Sequence, residues 1–164
     1  MERTLVLIKP DAVDRGLIGE ILQRFERVGL KIAAMKLVQA GEETAKSHYT
    51  EDVARRRGEH IRKMMVEMLM SGPVVAVCLE GVEAVTLVRK MVGETEPKSA
   101  APGTIRGDYA HVSYKHADDR KMGIYNLVHA SGSVEEAESE IKVWFKEDEL
   151  HEHRPGYTKH TIAY

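Results

Sequence analysis

His129 closes the apolar run Leu127–Val128 and is followed by three small residues, Ala130, Ser131 and Gly132. A histidine at a strand end among small neighbours can be reached by a large substrate. An unperturbed imidazole, with a pKa of about 6.5, is largely neutral near pH 7 and can act as a nucleophile. Taken alone, the segment fits a core histidine bonded to a backbone carbonyl better than a nucleophile. Glu140 falls on the helix that begins near Ser133, where a carboxylate could fold back onto the ring, fix its tautomer and leave the other nitrogen free to attack. Most helix glutamates simply face water. Lys9 at the end of the first apolar run, Arg89 late in a helix and Arg106 between Ile105 and Gly107 are the cations of interest. The guanidinium fork suits bidentate phosphate binding and the ammonium acts as a point charge. A surface ion pair is the plain alternative for each, and the one adopted for Arg3. The chain has no GxxxxGK[ST] loop and no GxGxxG loop, so any nucleotide must be held by other means.

The remaining titratable residues point elsewhere. His48, His60, His111, His116, His151, His153 and His160 are scattered without the spacing of a zinc site. Cys78 is the lone cysteine, which excludes an internal disulfide, and it sits in the apolar run Val74–Leu79 as a small buried hydrophobe. A formal charge of −2 gives no polyelectrolyte character, so no nucleic-acid partner is expected. The apolar run near the N-terminus is too short for a secretory signal, and no stretch approaches the roughly 20 apolar residues of a membrane span. The expectation is a cytoplasmic protein with no membrane partner.

These residues need elements to position them. Leu5–Ile8 reads as a buried strand stopped by Lys9–Pro10. Leu17, Ile18, Ile21, Leu22, Phe25 and Val28 recur at helical spacing, closed by Gly29. Lys31–Gln39 reads as a second strand, and residues 42–70, rich in Glu, Lys, Arg and Met, as helix. Ser71–Gly72–Pro73 breaks it, Val74–Leu79 is a central strand, and Val82–Val92 is a helix ended by Gly93. Residues 94–119 read as a long ordered loop and Ile124–His129 as the last strand. Ser133 with Glu136 marks a capping box for a helix through about Phe145, followed by an irregular tail. With the helical insert removed, the order is βαββαβ. This predicts an α+β, ferredoxin-like fold, an antiparallel sheet with helices on one face, forming a single domain over residues 1–164.

Four segments together, ERTLVLIKPDAV, SGPVVAVCLEG, GETEPKSAAPGTIRGD and NLVHASGSVEEAESEI, resemble the nucleoside diphosphate kinase family in sequence and order over nearly the whole chain. The resemblance implies ping-pong transfer of the γ-phosphate of a nucleoside triphosphate such as ATP to a nucleoside diphosphate, with broad base specificity. By position it makes His129 the phosphate acceptor, Glu140 its orienting carboxylate and Ser131 the hydroxyl beside that carboxylate. Lys9 and Tyr49 line the same site, Arg89, Thr95 and Arg106 bind phosphate, and Asn126 contacts the ribose. Mg²⁺ is the implied cofactor, travelling with the nucleotide phosphates with few or no protein ligands. A homo-oligomer, hexamer or tetramer, is the implied assembly.

Two segments depart from the family. The insert EDVARRRGEHIRKMMVEML lacks the phenylalanine on which the base stacks, and is about four residues longer than usual. His60 or Ile61 falls nearest that position, and Ile61 is the expected base contact. After Gly107–Asp108, YAHVSYKHADDRKMGIY inserts roughly ten residues before Asn126. A catalytically silent scaffold is the alternative that the altered base clamp motivates. An RNA-binding domain of this fold would show aromatics on its central strands. Aromatics are only 5% of residues, and Leu5–Ile8 and Val74–Leu79 hold none.

Overall fold

The computed structural model describes residues 1–162. Strands β1 (Glu2–Ile8), β2 (Lys31–Gln39), β3 (Pro73–Gly81) and β4 (Val128–Ala130) form one sheet in the order β2-β3-β1-β4. Every neighbouring pair is antiparallel. This is the ferredoxin-like arrangement, with β1 and β3 in the middle. Their apolar runs follow from that place, because a central strand covered on both faces has no polar side to present. Leu5, Val6, Leu7 and Ile8 are fully buried.

Alternation along β1 divides the core in two. Leu5 and Leu7 join Cys78, Tyr49, Ile141 and Trp144 on one face. Val6 and Ile8 join Phe25, Val77, Val88 and Val128 on the other. Helices therefore cover both faces rather than one. Helices α2 (Ile18–Arg27) and α6 (Ala84–Val92) pack on the second face. The insert covers the first face together with α9 (Val134–Trp144). Edge strand β2 leaves Met35 and Leu37 exposed.

Several boundaries differ from the sequence expectation. Pro10 does not merely stop β1: it occupies the first turn of α1 (Pro10–Asp14), where a missing N–H costs nothing. The stretch 42–70 is three helices, α3 (Glu42–His48), α4 (Glu51–Arg57) and α5 (Glu59–Met70). Gly58, at φ +95°, makes the break between the last two. Residues 94–119 carry a 3₁₀ turn at Pro97–Ser99 and helices α7 (Ile105–Tyr109) and α8 (Tyr114–Asp119). The hydroxyls of Thr104 and Ser113 cap these two helices, accepting from Gly107 N and His116 N. The tail holds a 3₁₀ turn at Glu147–Glu149 and a short helix α10 (Thr158–Thr161). Ser133 caps α9 as expected, accepting from Glu136 N at 3.1 Å. The Glu136 carboxylate accepts from Gly132 N at 3.0 Å, one residue before the partner a capping box would give it.

The last strand is shorter than Ile124–His129. Leu127 has φ +70°, and Val128 N donates to Asn126 O at 2.8 Å, a three-residue γ-turn. Leu127 N donates to the Asp11 carboxylate at 3.0 Å, and Leu127 O accepts from Lys9 N at 2.8 Å. The start of α1 thus holds the turn from both sides, and β4 begins only at Val128.

Candidate active site

His129 stands in the middle of β4, opposite Leu7 of β1. It lines a cleft of about 660 Å³ whose wall also includes Lys9, Tyr49, Arg89, Thr95, Arg106, Asn126 and Glu140. Its Nε2 lies 2.9 Å from the Glu140 carboxylate. A carboxylate only accepts, so Nε2 carries the proton and donates it, and Nδ1 keeps its lone pair. Glu140 projects from α9, and the Ser133 cap sets where that helix starts. The fully buried Ser131 hydroxyl donates to Glu140 at 2.7 Å and accepts from Leu5 N at 3.2 Å. The orienting carboxylate is therefore itself tied to the central strand.

Two of the cations, Lys9 and Arg106, are held just as firmly. Lys9 Nζ donates to Asn126 Oδ1 at 2.6 Å, and Asn126 Nδ2 donates to Thr95 O at 2.8 Å. Burial, opposed by Asp11 and aided by the neighbouring Arg106 charge, brings the Lys9 ammonium down to about 8. Arg106 donates to three backbone carbonyls: Gly93 O at 2.9 Å, Asn126 O at 3.1 Å and Val128 O at 2.6 Å. Burial brings its guanidinium down to about 10. These partners are dipoles, not charges, and Glu94 acts on the guanidinium only through space, so an anion in the cleft would meet a buried cation that is not tied up in a direct ion pair among the described residues. Gly93 can end α6 at φ +84° because it lacks a side chain; a Cβ there would sit 2.5 Å from Thr104 Oγ1. Arg89 is exposed beside this end of α6. Tyr49 is buried at the end of α3, and burial, with help from Glu140, raises its phenol so that it stays protonated.

One sequence candidate falls outside. Neither Ile61 nor His60 lines the cleft. After the break at Gly58, α5 reaches the cleft through Met65, and α4 supplies Asp52, Val53, Arg56 and Arg57. His48 is the residue whose spacing gave no signal. Its ring lies 4.4 Å from that of His129, edge to face at 87°.

Among the described residues, His48, His129 and Glu140 are the one group of such donors close enough to share a metal ion. They form the cluster just described, with Glu140 taken up by His129 and Ser131. Other acids on the cleft wall are engaged too: Asp52 pairs with Arg56 at 2.6 Å, and Glu136 accepts from Gly132 N. The cationic part of the wall offers amide, hydroxyl and cationic groups but no carboxylate. Such a donor set fits a divalent ion carried by substrate phosphates and water better than a protein-built metal cage.

Chemically, the cleft unites an oriented imidazole with buried positive charge, which defines a class of protein that moves phosphoryl groups. The family model described as nucleoside diphosphate kinase matches residues 2–150. The chain is 44% identical over 151 residues to the nucleoside diphosphate kinase of Borreliella burgdorferi, covering 92% of this chain and 90% of that one. It is 49% identical over 153 residues to that of Pyrococcus furiosus, covering 93% and 88%. A solved transition-state mimic of the Borrelia burgdorferi enzyme, with bound vanadate and ADP, superposes with a TM-score of 0.96 at 40% identity, over 99% of this chain and 97% of that one. The chain belongs to the nucleoside diphosphate kinase family. Its activity is that of a nucleoside diphosphate kinase, a phosphotransferase acting on nucleotides, and enzymes of this family need a divalent cation. No helix among the described residues is long and apolar enough to cross a membrane.

Proposed function

We propose that transfer runs through a phosphohistidine at His129. The observation that carries this is the engagement of Nε2 by Glu140, which leaves Nδ1 as the nitrogen available in a cleft lined with cations. Nδ1 attacks the γ-phosphorus of a nucleoside triphosphate. The bond to the bridging oxygen breaks, and the nucleoside diphosphate leaves with the electron pair. The Nε2 proton stays on the ring, and Glu140 offsets the positive charge that develops there. A second nucleoside diphosphate then attacks through its terminal phosphate oxygen, the N–P bond breaks, and His129 is restored.

Lys9, Arg89 and Arg106 take up the charge on the phosphate oxygens, with Thr95 and Tyr49 as hydroxyl donors. Asn126, fixed by Lys9 and Thr95, is placed for a sugar hydroxyl. Mg²⁺ bound to the nucleotide phosphates supplies further neutralisation. Sugar and phosphate contacts dominate this set, which supports broad base specificity. The exposed edge of β2 supports self-association as a homo-oligomer, hexamer or tetramer, of one domain over residues 1–164. Nucleotide substrates, which are abundant in the cytosol, support a cytoplasmic location.

The test uses γ-labelled ATP with Mg²⁺. Acid-labile label is expected on the wild-type protein and is discharged by added diphosphate; His129→Ala takes up none. Equal labelling of His129→Ala would overturn the assignment.

A further inference from the structure

One ring beside the nucleophile has no part in this scheme. His48, at the end of α3, is fully buried in its side chain and touches three aromatic rings: Tyr49, Trp144 and His129. Trp144 Nε1 donates to its Nδ1 at 3.4 Å. Nδ1 is therefore the acceptor and Nε2 carries the proton, yet Nε2 has no hydrogen-bond partner among the described residues. A buried N–H without a partner is uncommon, and a phenylalanine would fill the same space without it.

His129 is bonded through one nitrogen only. A ring held at one nitrogen can still swing about its Cβ–Cγ bond, a torsion with a broad well. Such a swing would carry Nδ1 off the line to phosphorus while keeping Nε2 near Glu140. The ring of His48, packed nearly perpendicular to it, blocks that movement. His48 Nδ1 is also 3.9 Å from the Glu140 carboxylate, close enough to compete for it if the ring carried a second proton. Two features prevent this. The indole N–H of Trp144 occupies Nδ1, and burial, with the His129 and Lys9 charges, holds the His48 imidazole well below its usual range.

We propose that His48 is a positioning residue: its ring, capped on Nδ1 by Trp144, fixes the plane of the His129 imidazole so that Nδ1 keeps its line of attack and, of the two rings, only His129 engages Glu140. The proposal rests on His129 being the nucleophile.

The experiment is rapid-quench single turnover of the full-length enzyme with Mg²⁺ and labelled ATP, comparing wild type, His48→Ala and His48→Phe. Label on wild type and none on His129→Ala establishes the underlying reading first. With that in hand, His48→Ala is expected to slow phosphorylation roughly ten- to hundredfold while half-saturation by ATP stays within about twofold. His48→Phe, which restores the wall without the nitrogens, recovers most of the rate. In ¹⁵N spectra, His129 is a single Nε2–H tautomer in wild type and averages between tautomers in His48→Ala. The proposal fails if His48→Ala phosphorylates at the wild-type rate. It fails equally if His48→Phe folds with an unchanged melting temperature yet is as slow as His48→Ala, because the ring wall then has no effect.

Discussion

Lys9, Asn126 and Arg106 are 5%, 3% and 8% exposed, and their polar atoms are tied to one another or to backbone carbonyls. The wall that α4 contributes to the same cleft contains no buried side chain, and its Arg55 and Arg56 pair locally with Asp52. The first wall holds its donors in fixed positions, because moving any member breaks a buried bond. The second cannot, because exposed ion pairs one helical turn apart hold little. On the proposed function, the rigid, desolvated positive charge would meet the phosphates common to every nucleoside triphosphate, and the loosely held helix would face the part that varies.

Substitutions can break or sharpen that contrast. Arg106→Ala has the largest expected effect: kcat/KM falls about 1,000-fold, because it removes a desolvated charge and leaves three carbonyls unpaired. A loss under tenfold, measured by steady-state coupled assay, would mean the buried wall is not the one that matters. Lys9→Met is next, with kcat down about 100-fold. It also carries a pH signature. The Lys9 ammonium titrates at about 8 in the fold against 10.5 when unperturbed, so between these values the unfolded chain holds more protons. Stability from this group is lowest below pH 8 and recovers as pH rises to 10.5. Urea melts of ligand-free protein should show wild type gaining up to about 3 kcal/mol relative to Lys9→Met across that window; parallel curves would refute the burial argument. Glu140→Gln keeps an acceptor for Nε2 but not its charge, and should slow single-turnover phosphorylation about tenfold with half-saturation unchanged. Ile61→Ala, outside the cleft, should leave kcat and KM within about twofold of wild type. A larger KM change would place α5, not α4, beside the base.

The same division separates what could be read in the sequence from what could not. The bounds of β2 and the Ser133 cap were legible because hydrophobic period and cap chemistry are local. The cations of the buried wall were legible as residue types, and their order along the chain matched a family. The γ-turn at Leu127 was not, since nothing in a leucine favours φ +70°. Hydrogen bonds from Lys9 and to Asp11, more than a hundred residues earlier, impose that geometry and shorten β4. His48 was hidden for a similar reason: it became a neighbour of His129 only when α3 packed against α9. The three-part insert was misread as continuous helix because Gly58 stands in a run of good helix formers, and one glycine weakens such a run without marking where it turns.

The place of β1 has a consequence for how the protein is made. It is the first of the four strands to be synthesised, yet its two partners are β3 and β4, which lie around residues 73–81 and 128–130. The hydrogen bond between Lys9 and Asn126 closes a span of 117 residues. A growing chain therefore carries this apolar, buried strand without its partners until β3 and then β4 have left the ribosome, and the cleft cannot assemble before then. Contacts of such long sequence separation slow folding and extend the time that sticky surface is open to other chains. The strand that makes the finished enzyme secure is the one that most needs protection at its birth.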